Sequence, residues 1–185
     1  MMTISLRGHL LVASPKLGDV NFFRTVILML QHDGDGALGL VLNRPTPSTL
    51  DEIWKVLEEG PCPSDAPLYW GGPVSNSLIG VHRFENWSDT QITPELHIAT
   101  TRRNLTRLLR QSEHPYRLYV GYAGWGAEQL DRELALGGWL MAAAAGEVAF
   151  YEGDDLWEQT VDRIGDQIIR PALGRVPSPP DPRVN

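Results

Sequence analysis

Apolar positions in this chain fall into two patterns: short continuous runs closed off by turn residues, and longer stretches in which apolar side chains recur every three or four residues. Leu10–Ala13 is a run of the first kind, ended by Ser14-Pro15. Thr25–Leu30 and Ala37–Leu42 are two more, separated by Asp33-Gly34-Asp35-Gly36. Two apolar runs around a Gly/Asp tetrad predict a hairpin buried on both faces. Leu68–Trp70, Leu78–Phe84, Leu96–Ala99, Tyr116–Tyr122 and Val148–Tyr151 predict further strands, and Trp139–Ala145 suits helix or strand equally.

Helical spacing appears in three segments. Thr49–Glu59 places Leu50, Ile53, Trp54 and Leu57 on one face, with Thr49 and Glu52 as a capping box and Gly60-Pro61 as the stop. Thr101 caps a second helix reaching about Gln111, with Leu105, Leu108 and Leu109 inward. Asp154–Ile164 repeats the pattern through Leu156, Trp157, Val161 and Ile164. A fourth helix is expected from about Ala127. From Pro171 onward the Pro-rich composition predicts a mobile tail, leaving residues 1–170 as one domain and 171–185 as an appendage. The irregular order of strands and helices favours a mixed sheet flanked by helices over a doubly wound one.

At 185 residues the chain can bury a core without staples, and the lone Cys62 excludes an internal disulfide framework or a Cys-rich zinc site. The formal charge of −7 opposes general attraction to nucleic acid or anionic membrane. No secretory leader or apolar span stands out, so a cytoplasmic protein is expected.

The central stretch is Gly121-Tyr122-Ala123-Gly124-Trp125-Gly126 and the helix after it. One reading makes it a ligand cradle, with backbone donors of the glycine turn and helix N-terminus aimed at an anion. The other makes the glycines packing devices and Trp125 a core plug. Glu128 favours the second, since it already complements the helix dipole. Gln129 and Glu133 share a helix face and are either ligand contacts or solvated. Asn43-Arg44 leaves the hairpin with an amide and a guanidinium, suited to a carboxylate or phosphate or else to local bonds. If the groove exists, Arg44 and Gly71-Gly72 form its other wall.

Other chemistry is thinner. His9, His32, His82, His97 and His114 form no close pair or HExxH, and the Asp33–Asp35 turn lacks an EF-hand pattern, so no metal is expected. G-x-S-x-G, G-x-G-x-x-G and a P-loop lysine are absent, so neither a motif-borne catalytic set nor a cofactor is expected. An acid/base site assembled from distant residues, His32, Asp131 or Glu133 among them, leaves no trace in spacing. Arg103, Arg107 and Arg110 form a basic stripe able to meet phosphates, against which stand the acidic total and the want of a helix-turn-helix partner.

Four separated motifs occur in order: Phe23-Arg24-Thr25-Val26, Gly36-Ala37-Leu38-Gly39-Leu40-Val41-Leu42-Asn43-Arg44-Pro45, Gly71-Gly72-Pro73-Val74, and Gly121–Gly126 with Gln129-Leu130. Together they resemble the YqgE/AlgH family of bacterial proteins, also called UPF0301, over roughly residues 5 to 165. The resemblance implies a single α/β (α+β) domain with a mixed, bifurcated sheet including a small closed barrel, flanked by helices. It brings no catalytic residue set, and members are sometimes described as transcriptional regulators. Glu128, Asp131 and Gln31 depart from the usual family pattern, which has glycine, glutamate and an acidic residue respectively. The expected function is a non-catalytic regulatory or binding module whose groove takes a small molecule or a partner's peptide. An acid/base enzyme and a DNA-contacting regulator are the alternatives.

Overall fold

The computed structural model describes residues 5–57, 61–111, 116–143 and 146–173. Gly60, His114, Ala144, Ala145 and the tail from residue 174 lie outside the described residues. Among the described residues nine strands and four α-helices follow one another as β1 (His9–Ala13), β2 (Val26–Asp33), β3 (Gly36–Val41), α1 (Leu50–Leu57), β4 (Leu68–Trp70), β5 (Val74–His82), β6 (Thr90–Thr93), β7 (Leu96–Ala99), α2 (Arg102–Leu109), β8 (Tyr116–Gly126), α3 (Gln129–Ala135), β9 (Trp139–Ala143) and α4 (Leu156–Leu173).

The strands form one mixed sheet in the order β6-β7-β5-β8-β3-β2-β1-β9, with β4 branching off as a parallel partner of β8. The apolar β2–β3 hairpin sits near its middle, where both faces are covered, as a run without alternation requires. The sheet curls into a half-barrel and stops there. This corrects the expectation of a closed barrel. Among the described residues no ladder joins β9 to β6. The space inside the curl is filled by Val148 and Ala149 of a 3-10 turn and by Leu156, Trp157 and Ile164 of α4, packed on Leu10, Leu28, Leu40 and Tyr119. Side chains from a turn and a helix occupy the interior that further strands would have had to enclose.

Three other readings change. Val148–Phe150 is that 3-10 turn, not a strand, because it plugs the curl rather than joining an edge. The glycine stretch after Tyr122 is not a turn. It is the second half of β8, held extended by antiparallel pairing of Ala123–Gly126 with Gly39–Gly36. α4 runs past Ile164 through Pro171 to Leu173. β6, too polar to stand out in the sequence, pairs with β7 at the edge.

A second apolar layer, on the far face of the hairpin, contains Leu11, Ile27, Met29, Val41, Trp125, Leu130 and Trp139. A third lies under α1 and α2 around Trp54, Leu68, Leu105, Leu108 and Leu118. Thr101 caps α2 as its sequence predicts, its hydroxyl accepting from the Asn104 N–H. No helix among the described residues is long and apolar enough to cross a membrane.

Candidate functional site

β8 is the strand on which the two halves of the sheet meet. Its first half is flanked by β5 on one edge and β4 on the other, while its last four residues pair with β3. The crossing is tight. A Cβ on Gly72 would lie 2.1 Å from the Tyr122 carbonyl carbon, and one on Gly121 would lie 2.5 Å from the Gly72 oxygen. Gly71 meets the Gly121 oxygen in the same way, at 2.3 Å. Only backbone without side chains approaches this closely, so Gly71, Gly72 and Gly121 set the packing of two segments.

Past this crossing the strand opens. Among the described residues, Ala123–Gly126 has no strand on the edge opposite β3. Successive residues of a strand point their N–H and C=O to alternate edges. The Trp125 carbonyl faces β3, 2.3 Å from where a Gly36 Cβ would be. The polar groups of Gly124 therefore face the open edge. The Gly126 N–H, on that same edge, is taken by Gln129 Oε1 at 3.1 Å. A Cβ on Gly124 would meet only ordinary contacts at 3.5 Å and beyond. A groove of about 350 Å³ lies on the adjoining face of β8 and β3, lined by Gln31, Asp35, Leu38, Val74, Tyr122 and Gly124 among others.

Beneath the groove α3 supplies a polar anchor. Gln129 Nε2 donates to Glu133 Oε1 at 2.9 Å, while Trp125 Nε1 and Trp139 Nε1 both donate to Glu133 Oε2, at 3.0 and 2.8 Å. Phe22 stacks on Trp125 and meets Trp139 edge-on, at centroid distances of 6.1 and 5.5 Å. Trp125 is buried, so its ring belongs to the core while its backbone borders the groove. Glu128, left-handed at φ 58°, turns the chain into α3 and pairs with Arg132 at 3.7 Å.

Asn43 and Arg44 lie elsewhere. Asn43 Oδ1 accepts from Val26 N–H at 3.0 Å and its amide donates to the Arg24 carbonyl at 2.8 Å, fastening the corner before β2. Arg44 donates to the Phe23 carbonyl at 2.9 Å and lies over the Trp70 ring at 5.5 Å, and burial pushes its guanidinium pKa down. The structure thus brings Gly124, Trp125, Gly126, Gln129 and Glu133 together, sets the Gly71–Gly72 crossing directly before them against Tyr122 and Ala123, and gives Asn43 and Arg44 other partners.

Of the acid/base candidates, His32 and Asp131 do meet, Nε2 to Oδ2 at 3.5 Å. His32 Nδ1 accepts the Leu6 N–H at 3.2 Å, which places the ring proton on Nε2, facing Asp131. Its side chain is 2% exposed, so both ring nitrogens are engaged inside the protein. Asp33 is held below the usual carboxylate range by the Gln31 side-chain amide and the Asp35 N–H, so the turn satisfies itself. On α2, Arg102, Arg103, Thr106 and Arg107 line a shallow depression, and Arg110 lies over the Trp54 ring at 5.9 Å.

Sequence reasoning passed over Phe22 and Trp139, the other two rings of the Glu133 cluster, and Arg117. The signal for Arg117 was present: it is the one charged residue within the apolar run Tyr116–Tyr122.

Comparison with known proteins places this architecture. The AlgH-like family model matches residues 10–169. A UPF0301 protein of Nitrosococcus oceani is 38% identical over 151 residues, covering 78% of this chain and 81% of the relative. One of Myxococcus xanthus is 36% identical over 176 residues, covering 92% and 97%. The solution structure of the AlgH protein from Pseudomonas aeruginosa superposes with a TM-score of 0.76 at 25% identity, over 97% of this chain and 98% of that one. A crystal structure from Corynebacterium diphtheriae gives a TM-score of 0.70 at 24% identity, over 84% and 85%. Matched along nearly its whole described length in both sequence and fold, the chain belongs to the AlgH-like family.

Proposed function

We propose that the protein is a non-catalytic binding module that takes an extended peptide segment of a partner at the end of β8. The observation that carries this reading is the open edge at Gly124, whose N–H and C=O face away from β3, next to a groove on the adjoining sheet face. A strand edge offers ready-made donors and acceptors to another chain, and flanking pockets then select its side chains. Asp35 in the groove wall and the total charge of −7 favour a peptide bearing Lys or Arg. A small ligand of extended shape would use the same groups. The Glu133 anchor serves this role indirectly, by holding Trp125 and hence the strand end rigid. His32, enclosed with both nitrogens occupied, offers no proton to a substrate.

Peptide selection from a displayed library tests the reading. Peptides enriched on the wild-type protein should lose about tenfold or more in affinity on Gly124→Val, which fills the groove at a position with room for a side chain. Affinity unchanged by that substitution, or no enrichment, would overturn it.

A second reading, direct contact with DNA, is favoured by the arginine-lined depression on α2. It predicts a salt-dependent shift of duplex DNA that Arg103→Ala with Arg107→Ala abolishes. No shift at low salt would remove it.

A further inference from the structure

A second cavity, of about 480 Å³, opens on the other side of the branched strand, between β4, the start of β8 and the 3-10 turn. That volume falls in the roughly 300–1,000 Å³ range of small-molecule sites. Its walls are Ala66, Pro67, Tyr69, Tyr116 and Phe150, its charged groups Arg117, Asp65 and Glu152.

Arg117 is the unusual member. It is 6% exposed, and a charge taken so far from water is normally answered by a carboxylate. Among the described residues none forms an ion pair with it. Its guanidinium has five N–H donors. One of its nitrogens donates to the Tyr151 carbonyl, and the Tyr69 ring lies at 4.7 Å from the guanidinium carbon. None of the Arg117 nitrogens is both buried and unbonded, and Arg117 lines the cavity, so part of its donor set is accessible there. The enclosed Tyr119 hydroxyl lies close enough to Arg117 to engage part of its donor set, though not with the geometry of a full hydrogen bond. The cavity thus holds a preorganised cation with spare donors among aromatic walls. Its exposed rim carries two acids, Asp65 and Glu152.

The arrangement discriminates by charge. A phosphate ester, with two negative charges, would be repelled by the rim. A simple cation would leave Arg117 unanswered and meet it head-on. A ligand with one carboxylate and one ammonium on neighbouring atoms satisfies both, and a flat apolar side chain beside them suits the rings of Tyr69, Tyr116 and Phe150. We propose that this cavity is a binding site for a small amphoteric ligand of the aromatic amino acid class, its carboxylate on Arg117 and its ammonium toward Asp65 and Glu152. The site is separate from the groove at Gly124 and does not depend on it.

Calorimetric titration of the full chain with L-phenylalanine, 3-phenylpropanoate and phenethylamine tests this. Phenylalanine should bind with the highest affinity, 3-phenylpropanoate about tenfold more weakly, and phenethylamine not measurably. Arg117→Met should abolish phenylalanine binding. Should that variant fail to fold, Glu152→Gln decides, since Glu152 is exposed. It should weaken phenylalanine and strengthen 3-phenylpropanoate, while Gly124→Val changes neither. The proposal is overturned if none of the three compounds binds up to about 10 mM, or if Glu152→Gln leaves both affinities unchanged.

Discussion

The indole N–H groups of Trp125 and Trp139 converge on one carboxylate oxygen, Oε2 of Glu133, at 3.0 and 2.8 Å. One tryptophan comes from the end of β8 and the other from the start of β9, so a single side chain of α3 ties together strands on opposite flanks of the central hairpin. Both indoles are buried, and each would lose its acceptor if the carboxylate were removed.

Glu133→Ala should therefore cost about 3 kcal/mol, more than a typical surface change, because two enclosed donors go unpaired. Glu133→Gln keeps an acceptor oxygen and should cost less than half of that. Urea unfolding followed by tryptophan fluorescence measures both. Equal, near-zero effects would show that the indoles find other partners.

The crossing of Gly72 and Gly121 gives a sharper contrast. Gly72→Ala would put a Cβ 2.1 Å from backbone with φ at +152°, and should destabilise by more than about 3 kcal/mol. Gly34→Ala meets nothing within 4 Å and should stay within about 0.5 kcal/mol of wild type. Thermal melts of the two variants, side by side, check the claim that the first glycine is a packing requirement.

His82 and His97 stack as a cross-strand pair at 5.9 Å, with His82 Nε2 and His97 Nδ1 both buried and unbonded. Burial, aided by the neighbouring His97, lowers the His82 pKa to about 4. A histidine unfolds into water with a pKa near 6.5. Between those values the unfolded chain holds the proton and the folded one does not, so stability falls as pH drops through that window and is full above it. The loss attributable to His82 should reach about 3 kcal/mol by pH 4. Denaturant titrations at pH 7, 5.5 and 4 measure it, and His82→Gln should flatten the slope.

Asn43 closes the corner before β2 with one accepted and one donated bond, and Arg24 inside that corner sits at φ 53°. Asn43→Ala leaves the buried Val26 N–H without a partner and should cost about 2 kcal/mol. Asn43→Asp keeps the acceptor and should recover part of it. Chemical denaturation of the three proteins separates these outcomes.

The sequence by itself determined the elements whose signal is local. The β2–β3 hairpin follows from two apolar runs around a Gly/Asp tetrad, α2 from its Thr101 cap and leucine spacing, and the family from four motifs in order. Local signals also marked Trp125, Gln129 and Glu133 as a group worth attention, because helix spacing puts Gln129 and Glu133 on one face. Only the tertiary structure decided what these residues do. A glycine run reads the same whether it turns or is held extended by a strand far away in the chain, as β3 holds the end of β8 through pairs from Gly39–Ala123 to Gly36–Gly126. Nor does spacing reveal that Phe22 and Trp139 join Trp125, that Asn43 faces backbone, or that Arg117 is buried beside a cavity. The half-barrel likewise stays open because side chains of the 3-10 turn and α4 fill it. Each of these depends on contacts between segments far apart in sequence, and pairwise contact at that distance leaves no periodicity for a single chain to display.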